Sequence, residues 1–351
     1  MHSRPFALAA LTLAALLAVP VPAPAQSDES LTLIAGANQT GFFEILEYVA
    51  EAEGFFKEQH LHVDVQFANN PGNAAQLVAS GKGDIVSTSL EPIIQGYEKG
   101  LRLTAFFNRN PQYQWVLAVL ADSPIHTAAD FKGTTLGEYT PRSPGEYSTD
   151  ATLRGAGLKS SDYSYEVIGS GAQAIAALTG KKVAGASFPY AELLIYENVA
   201  NLKFRYFWNP ILKDISDVGF CATPTTIETK ADALKRFTRA MAESSIFIRV
   251  NPQVAARDFL HGAGVQATPE ALRNEVRLLQ IGQGILPGVI PTSNKVGELG
   301  TRSANVLTKF INDNGLTAHV VPVSAVVTDR FIPYANDFDH RAFIERARST
   351  H

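Results

Sequence analysis

The chain has 351 residues, and its 30 Lys and Arg against 34 Asp and Glu give a formal net charge of −4. That length buries a large core and allows two lobes, while a mildly acidic balance without a basic stripe excludes nucleic acid as a partner. A single cysteine, Cys221, excludes an internal disulfide.

Residues 1–25 stand apart. His2 and Arg4 make a short basic start, Phe6 to Val21 is almost wholly apolar, and Ala23-Pro24-Ala25 is an A-x-A cleavage site ahead of Gln26. A run of roughly 16 apolar residues is short for a spanning helix, which wants about 20. The stretch is read as a signal peptide cleaved after Ala25, and losing Arg4 moves the net charge from −4 to −5. No cysteine stands beside the cleavage site to take a lipid, and no later segment is long and apolar enough to cross a bilayer. An exported, soluble, periplasmic protein is expected.

The mature chain opens on Leu31 to Ile34, a predicted buried strand, followed by the polar turn Asn38-Gln39-Thr40-Gly41 and an apolar helix from Phe42 to Phe56. In open α/β sheets such turns, at the carboxyl ends of strands, form the crevice where ligands sit. Gly54 supplies a stop. Leu61 to Phe67 alternates as a strand, Ala68 to Gly72 is a second polar turn, and Asn73 to Ser80 is a helix. Asp84 to Val86 makes a third short strand, with Ser87-Thr88-Ser89 as the turn before a helix from Glu91 to Lys99. Three such units in a row predict a parallel, doubly wound sheet.

Leu101 to Phe107 and Gln114 to Leu120 read as strands around a polar loop, and the second is expected to lead out of the first lobe. Thr134 to Tyr139 opens a new sheet, and Thr140 to Gly145 turns into a helix from Glu146 to Gly155. Strand Tyr163 to Ile168, helix Ala172 to Leu178, strand Val183 to Ala186 and helix Tyr190 to Asn198 complete a second lobe. Val218 to Ala222 returns to the first, which is then wrapped by helices Thr229 to Val250, Gln253 to His261, Pro269 to Leu279 and Asn294 to Asn314. Residues 26–120 and 218–351 are thus expected as lobe one and 121–217 as lobe two. A faint repeat, Ala79 through Ser87 against Leu178 through Ser187, places a serine after a short strand in each.

The opening strand and its Gly41 turn, Gly54-Phe55-Phe56, Leu77-x-x-Ser80-Gly81-Lys82-Gly83-Asp84-Ile85, Asp130-Phe131-Lys132-Gly133-x-x-Leu136-Gly137 and Lys235-Arg236-Phe237-x-Arg239-Ala240 together resemble periplasmic substrate-binding proteins. The subgroup is that of ABC importers for nitrate, sulfonates, taurine and thiamine-pyrimidine precursors, and the resemblance spans residues 31–315. It implies an α/β, two-lobe type II periplasmic-binding fold that closes on a small-molecule ligand, an inner-membrane ABC permease as partner, a monomer, and no cofactor, metal or catalytic residue. One position departs from the family: Val183 stands where the second-lobe block carries Asp.

Gln39, Thr40, Gly41, Phe42, Asn70, Ser87, Thr88, Ser89, Arg142, Ser143 and Ser187 are the candidate ligand contacts, offering hydroxyl, amide, guanidinium and backbone groups at helix openings. Ser, Thr and Asn are also the favoured caps and turn residues, so each has a purely structural alternative. Arg142 suits a carboxylate, sulfonate or phosphate, whereas Glu146 in the cleft would select a cationic or hydrogen-bond-donating ligand such as an aminopyrimidine. Arg109 reads as a solvated loop charge. Tyr113, Tyr139, Phe188 and Tyr190 lie close to the turns and could sandwich a flat ring, favouring a small organic solute with a planar portion over bare nitrate.

Gly169-Ser170-Gly171-Ala172-Gln173-Ala174 matches a dinucleotide fingerprint but lacks a second nucleotide-binding half. His60 and His62 share a strand face without a third metal ligand at suitable spacing. Two alternatives to transport carry other chemistry: a pyridoxal-phosphate-type pyrimidine synthase-like enzyme, and a ligand sensor for a receptor kinase.

Overall fold

The computed structural model describes residues 28–37, 44–110, 113–141, 143–210, 215, 218–282 and 295–351. The signal-peptide reading at 1–25 lies outside them. Among the described residues no helix is long and apolar enough to cross a membrane.

The chain begins with β1 (Glu29–Ala35), α1 (Ile45–Ala52), α2 (Phe55–Glu58), β2 (Leu61–Phe67), α3 (Pro71–Ala79), β3 (Ile85–Ser89), α4 (Glu91–Tyr97) and β4 (Thr104–Asn108). It continues through β5 (Trp115–Leu120), β6 (Thr135–Glu138), α5 (Pro144–Gly155), β7 (Ser164–Val167), α6 (Gly171–Thr179), β8 (Ala186–Pro189), α7 (Tyr190–Val199) and β9 (Phe204–Phe207). After β10 (Val218–Ala222) come α8 (Pro224–Thr229), α9 (Ala231–Val250), α10 (Pro252–Gly262), α11 (Pro269–Gly282), α12 (Thr301–Asp313), α13 (Val323–Val326), α14 (Ile332–Ala335) and α15 (His340–Ser349).

The strands form two five-stranded sheets, ordered β2-β1-β3-β10-β4 and β7-β6-β8-β5-β9. In the first, β1 runs parallel to β2 and β3 while β10 is antiparallel to β3 and β4. In the second, β6 runs parallel to β7 and β8 while β5 is antiparallel to β8 and β9. Both sheets therefore share one plan, and in each the strand that arrives from the other lobe occupies the fourth place. The segments Ala79–Ser87 and Leu178–Ser187 lead into β3 and β8, which hold the same position in the two sheets.

Two expectations change. Trp115–Leu120 was expected in the first lobe, yet Leu117 pairs with Ser187 and Phe207, so β5 belongs to the second sheet. An unbroken apolar run is suited to either sheet's interior, and its sequence does not say which one it enters. Each lobe holds the expected mostly parallel sheet: four strands run one way, and the strand inserted at each chain crossing, β10 or β5, runs against them. Ser87-Thr88-Ser89 and Ser187-Phe188 lie inside β3 and β8, where turns were read after shorter strands.

The first lobe's core gathers on α9. Phe237 meets Phe220 at 5.0 Å, Phe56 at 6.0 Å and Phe106 at 6.3 Å between ring centroids, joining the helix to β10, α2 and β4. Truncating that ring to Ala would cost about 3–5 kcal/mol. Its neighbour Arg236 donates to the carbonyls of Gln59 and His60 and pairs with Glu29, which ties α9 to the sheet edge that carries β1 and β2.

Candidate ligand cleft

The carboxyl ends of the central strands converge on one cavity between the two sheets. From the first sheet come Gly36 and Ala37 after β1, Pro71 after β2, Ser87, Thr88 and Ser89 in β3, and Arg109 after β4. From the second come Trp115 at the start of β5, Tyr139 and Thr140 after β6, and Ser143 and Pro144 at the start of α5. Glu44, the residue that caps α1, completes the wall. This is the crevice that an open α/β sheet offers to a ligand.

Two glycines allow the close approach of elements here. A Cβ at Gly36 would stand 2.9 Å from the Pro71 Cα, so only glycine lets the end of β1 meet the start of α3. A Cβ at Gly145 would stand 2.7 Å from Trp115 Cε3, so the first turn of α5 lies directly on the indole. That indole meets the Tyr139 ring edge-on at 6.0 Å, giving the cavity an aromatic wall.

Arg109 is the polar centre. Its Nη2 donates to Glu47 Oε2 at 3.1 Å, and its guanidinium lies over the Phe220 ring at 5.9 Å. The expectation of a solvated loop charge is overturned, since Arg109 and Glu47 are both buried. Burial pushes the Glu47 carboxyl up, and the neighbouring Arg109 pulls it the other way with less effect. Among the described residues, Arg109 Nε and Nη1, Thr88 Oγ1 and Ser143 Oγ are buried without a hydrogen-bond partner. Buried polar groups are normally satisfied, so such a set around a cavity is what a bound solute or ordered water would complete.

Beneath β3 lies a second buried acid. Burial pushes Glu91 up to about 7, against the pull of its own backbone N–H and of the Ser89 and Tyr113 side chains. The Tyr113 hydroxyl also donates to the Pro144 carbonyl at 2.5 Å, which links the chain between β4 and β5 to the start of α5.

Of the predicted contacts, the cleft brings together Ser87, Thr88, Ser89, Tyr139 and Ser143. Gln39, Thr40, Gly41, Phe42 and Arg142 lie outside the described residues. The others do not line the cavity. Asn70 spends its side chain capping α3, accepting from the Asn73 N–H at 2.9 Å. Tyr113 is buried behind the wall, and Glu146 sits in the first turn of α5 without lining the cavity. Ser187 faces Ser148 across 3.4 Å, and Phe188 is core, packed on Tyr139 and Tyr196. Tyr190 meets Tyr206 and Trp208 edge-on at 5.4 and 5.3 Å. Glu44, Arg109 and Trp115 line the cavity without having been among the predicted contacts. The one available signal was position: Arg109 follows a predicted first-lobe strand, as Ser87 does.

The dinucleotide-like motif has a local role. The Gly171 N–H donates to the Tyr196 hydroxyl oxygen at 2.7 Å, and Tyr196 in turn donates to Glu192, whose carboxyl burial pushes up to about 7. The backbone donor that would meet a phosphate is already occupied.

Residues 44–255, more than half of the chain, match the family model described as NMT1/THI5 like. No curated protein matches the chain in sequence. A structure of a protein from Bordetella bronchiseptica RB50 superposes with TM-score 0.70 at 20% identity, covering 88% of this chain and 97% of that one. The periplasmic aliphatic sulphonate binding protein SsuA from Escherichia coli gives 0.64 at 17% identity, covering 86% and 92%. The alkanesulfonate-binding protein SsuA from Xanthomonas axonopodis pv. citri, bound to MOPS, gives 0.63 at 13% identity, covering 87% and 99%. At such identities the likeness concerns the fold, which is the α/β two-lobe fold of type II periplasmic binding proteins.

Proposed function

This chain belongs to the NMT1/THI5-like family, and on that footing we propose that it is the extracytoplasmic solute-binding protein of an ABC importer. It is exported with loss of residues 1–25, acts as a monomer without catalysis, and delivers its solute to an inner-membrane permease. The solute is a small organic molecule with a sulfonate-, carboxylate- or pyrimidine-like group and a planar or ring portion. Closure of the lobes replaces water around it with fixed donors.

The observation that carries this reading is the set of unpartnered buried groups, Arg109 Nε and Nη1 with Thr88 and Ser143 hydroxyls, on a cavity walled by both sheets. Trp115 and Tyr139 supply the flat apolar surface beside them. The sulfonates for which the Escherichia coli and Xanthomonas proteins are named carry acceptor oxygens of the kind these donors suit. The enzymatic alternative finds no support in Cys221, which is buried with its thiol pushed up and so is a poor nucleophile.

Trp115 makes the test direct, since a solute in the cavity changes indole emission and closure compacts the molecule. Sulfonates, carboxylates and aminopyrimidines are titrated with fluorescence and small-angle scattering read together. At least one is expected to shift both signals, and a panel that leaves both unchanged at millimolar concentration would sink the proposal.

A further inference from the structure

We infer that the solute meets Arg109 with an anionic oxygen group, and that Glu47, which pairs with the same guanidinium from behind the cavity wall, takes up a proton as that group binds; this rests on the solute-binding reading above and narrows its substrate class. The anion follows from the donors. Arg109 lines the cavity and gives only Nη2 to Glu47, while its Nε and Nη1 are buried without a partner among the described residues. Thr88 Oγ1 and Ser143 Oγ are in the same condition on the same wall. The oxygens of a carboxylate or sulfonate can accept from two guanidinium nitrogens and two hydroxyls together, which exceeds the capacity of a single neutral carbonyl.

The proton follows from how Glu47 is held. Its contact with Arg109 runs through Oε2 at 3.1 Å, and Oε1 is buried without a partner among the described residues. Burial pushes the carboxyl up, and Arg109, the charged group among the described residues that bears on it, opposes this with less effect. The acids on the helices packed against α1 answer to other groups: Glu243 on α9 to Arg239, Glu58 and Arg346, Asp258 on α10 to Glu53, Arg257 and His261, and Glu58 on α2 to Arg346. Glu44, one turn before Glu47, has an interaction of its own. An anion arriving at Arg109 therefore competes with Glu47 for one positive charge, and of two acids sharing a site the less well supported one is protonated. Protonated on Oε1, Glu47 still accepts from Nη2 through Oε2. The ion pair passes to the solute while Arg109 keeps its position, which makes Glu47 a positioning residue that also sets the pH at which an acid is held.

Sulfonates test this directly, because they stay ionised while Glu47 titrates. Propanesulfonate and benzenesulfonate are the acid probes, with benzamide and 2-aminopyrimidine as neutral ones, in titration calorimetry on the chain lacking residues 1–25. Between about pH 6 and pH 9 the affinity for at least one sulfonate is expected to fall by about three- to tenfold per unit over part of the range, tenfold being the limit for one linked proton, while neutral probes give a flat profile. Repeating the titration in buffers of different ionisation heat counts the proton on the unaltered protein, and a net uptake is expected. Glu47→Gln should flatten the sulfonate profile and bind at least as tightly as the parent at its alkaline end, whereas Glu47→Asp should keep the slope. Glu91→Gln, which removes the buried acid beneath β3 that is pushed up to about 7, should keep it as well. A flat sulfonate profile with no proton taken up, neutral probes that bind tighter than the sulfonates, or a slope that survives Glu47→Gln would each overturn the inference and leave the solute-binding reading standing. The proton count needs no variant, so it decides even where Glu47→Gln fails to fold. Failure of every probe, with no compaction in scattering, counts against that reading itself and takes this inference with it.

Discussion

Arg109, at the end of β4, reaches Glu47 on α1 with Nη2 to Oε2 at 3.1 Å, and each side chain is only 1% exposed. The cavity thus inherits a guanidinium whose position is fixed by a helix rather than by the loop that carries it. Breaking such a pair strands an uncompensated buried charge, at about 3–5 kcal/mol for either single substitution, while two apolar side chains of similar volume avoid that penalty. In urea denaturation, Arg109→Met and Glu47→Met should each lose an amount of that order, and the double variant should lose less than their sum. Arg109→Met should cost less near pH 5 than near pH 8, because burial already pushes Glu47 towards its protonated form. Strict additivity would mean that the contact carries no energy of its own.

Glu91 gives a pH dependence of known sign. Its carboxyl is raised from 4.5 to about 7 in the fold, so between those values the native state holds a proton that the unfolded chain releases. Stability is full below the unfolded value and falls as pH rises through the folded one, by on the order of 3 kcal/mol in all. Glu91→Gln keeps the shape and removes the ionisation. It is expected to match the parent near pH 4 and to exceed it above about pH 8 by that amount, as measured by denaturant midpoint. A gain that is the same at both ends of the range would assign the effect to packing instead.

The βα rhythm was legible because period and punctuation are local: Gly54 and Gly81 close helices, and the Asn70 cap opens one. Ser87 to Ser89 and Ser143 could be placed at the cleft for the same reason, since strand carboxyl ends have a common destination. What failed was long-range. Asn108 to Tyr113 is as polar as any surface loop, and nothing nearby tells that Arg109 will meet an acid 62 residues earlier in the chain. Glu44 precedes Ile45 and Leu46 as an ordinary helix-opening acid would. β5 carries six residues suited to any interior, and its sheet is decided by β8 and β9, which come later. Pairing chosen across the fold leaves no mark in local composition.

Gly145 sits where any larger residue must displace the indole. A methyl there would meet Trp115 Cε3 at 2.7 Å, Cζ3 at 3.0 Å and Ser187 Cβ at 3.1 Å. Overpacking of this kind costs about 1–3 kcal/mol. Because the ring that must give way lines the cavity, Gly145→Ala is expected to alter Trp115 emission in the free protein and to weaken solute binding more than its stability loss implies. Ala at Gly155, at the far end of the same helix, has open space around it and serves as the comparison. Equal binding by both variants would mean that the Trp115 face does not touch solute.

The Tyr113 hydroxyl donates to the carbonyl of Pro144 at 2.5 Å and also bears on the Glu91 carboxyl. The bond therefore joins the chain leaving the first sheet to the first residue of α5, which carries Ser143 and Pro144 at the edge of the cavity. Tyr113→Phe leaves a buried carbonyl unsatisfied, and a loss of about 1–3 kcal/mol in stability is expected from that alone. It also frees the start of α5 on the side that faces solute. Closure should then recruit Ser143 less reliably, so affinity falls while the scattering profile of the free protein stays that of the parent. Ser148→Ala, which removes a bond to the Gly145 carbonyl within the same helix, is the control for a merely weakened α5. If Ser148→Ala reduces affinity as much as Tyr113→Phe, helix stability alone accounts for the effect; if only Tyr113→Phe does, the hydroxyl between the lobes sets the position of the cleft's second wall.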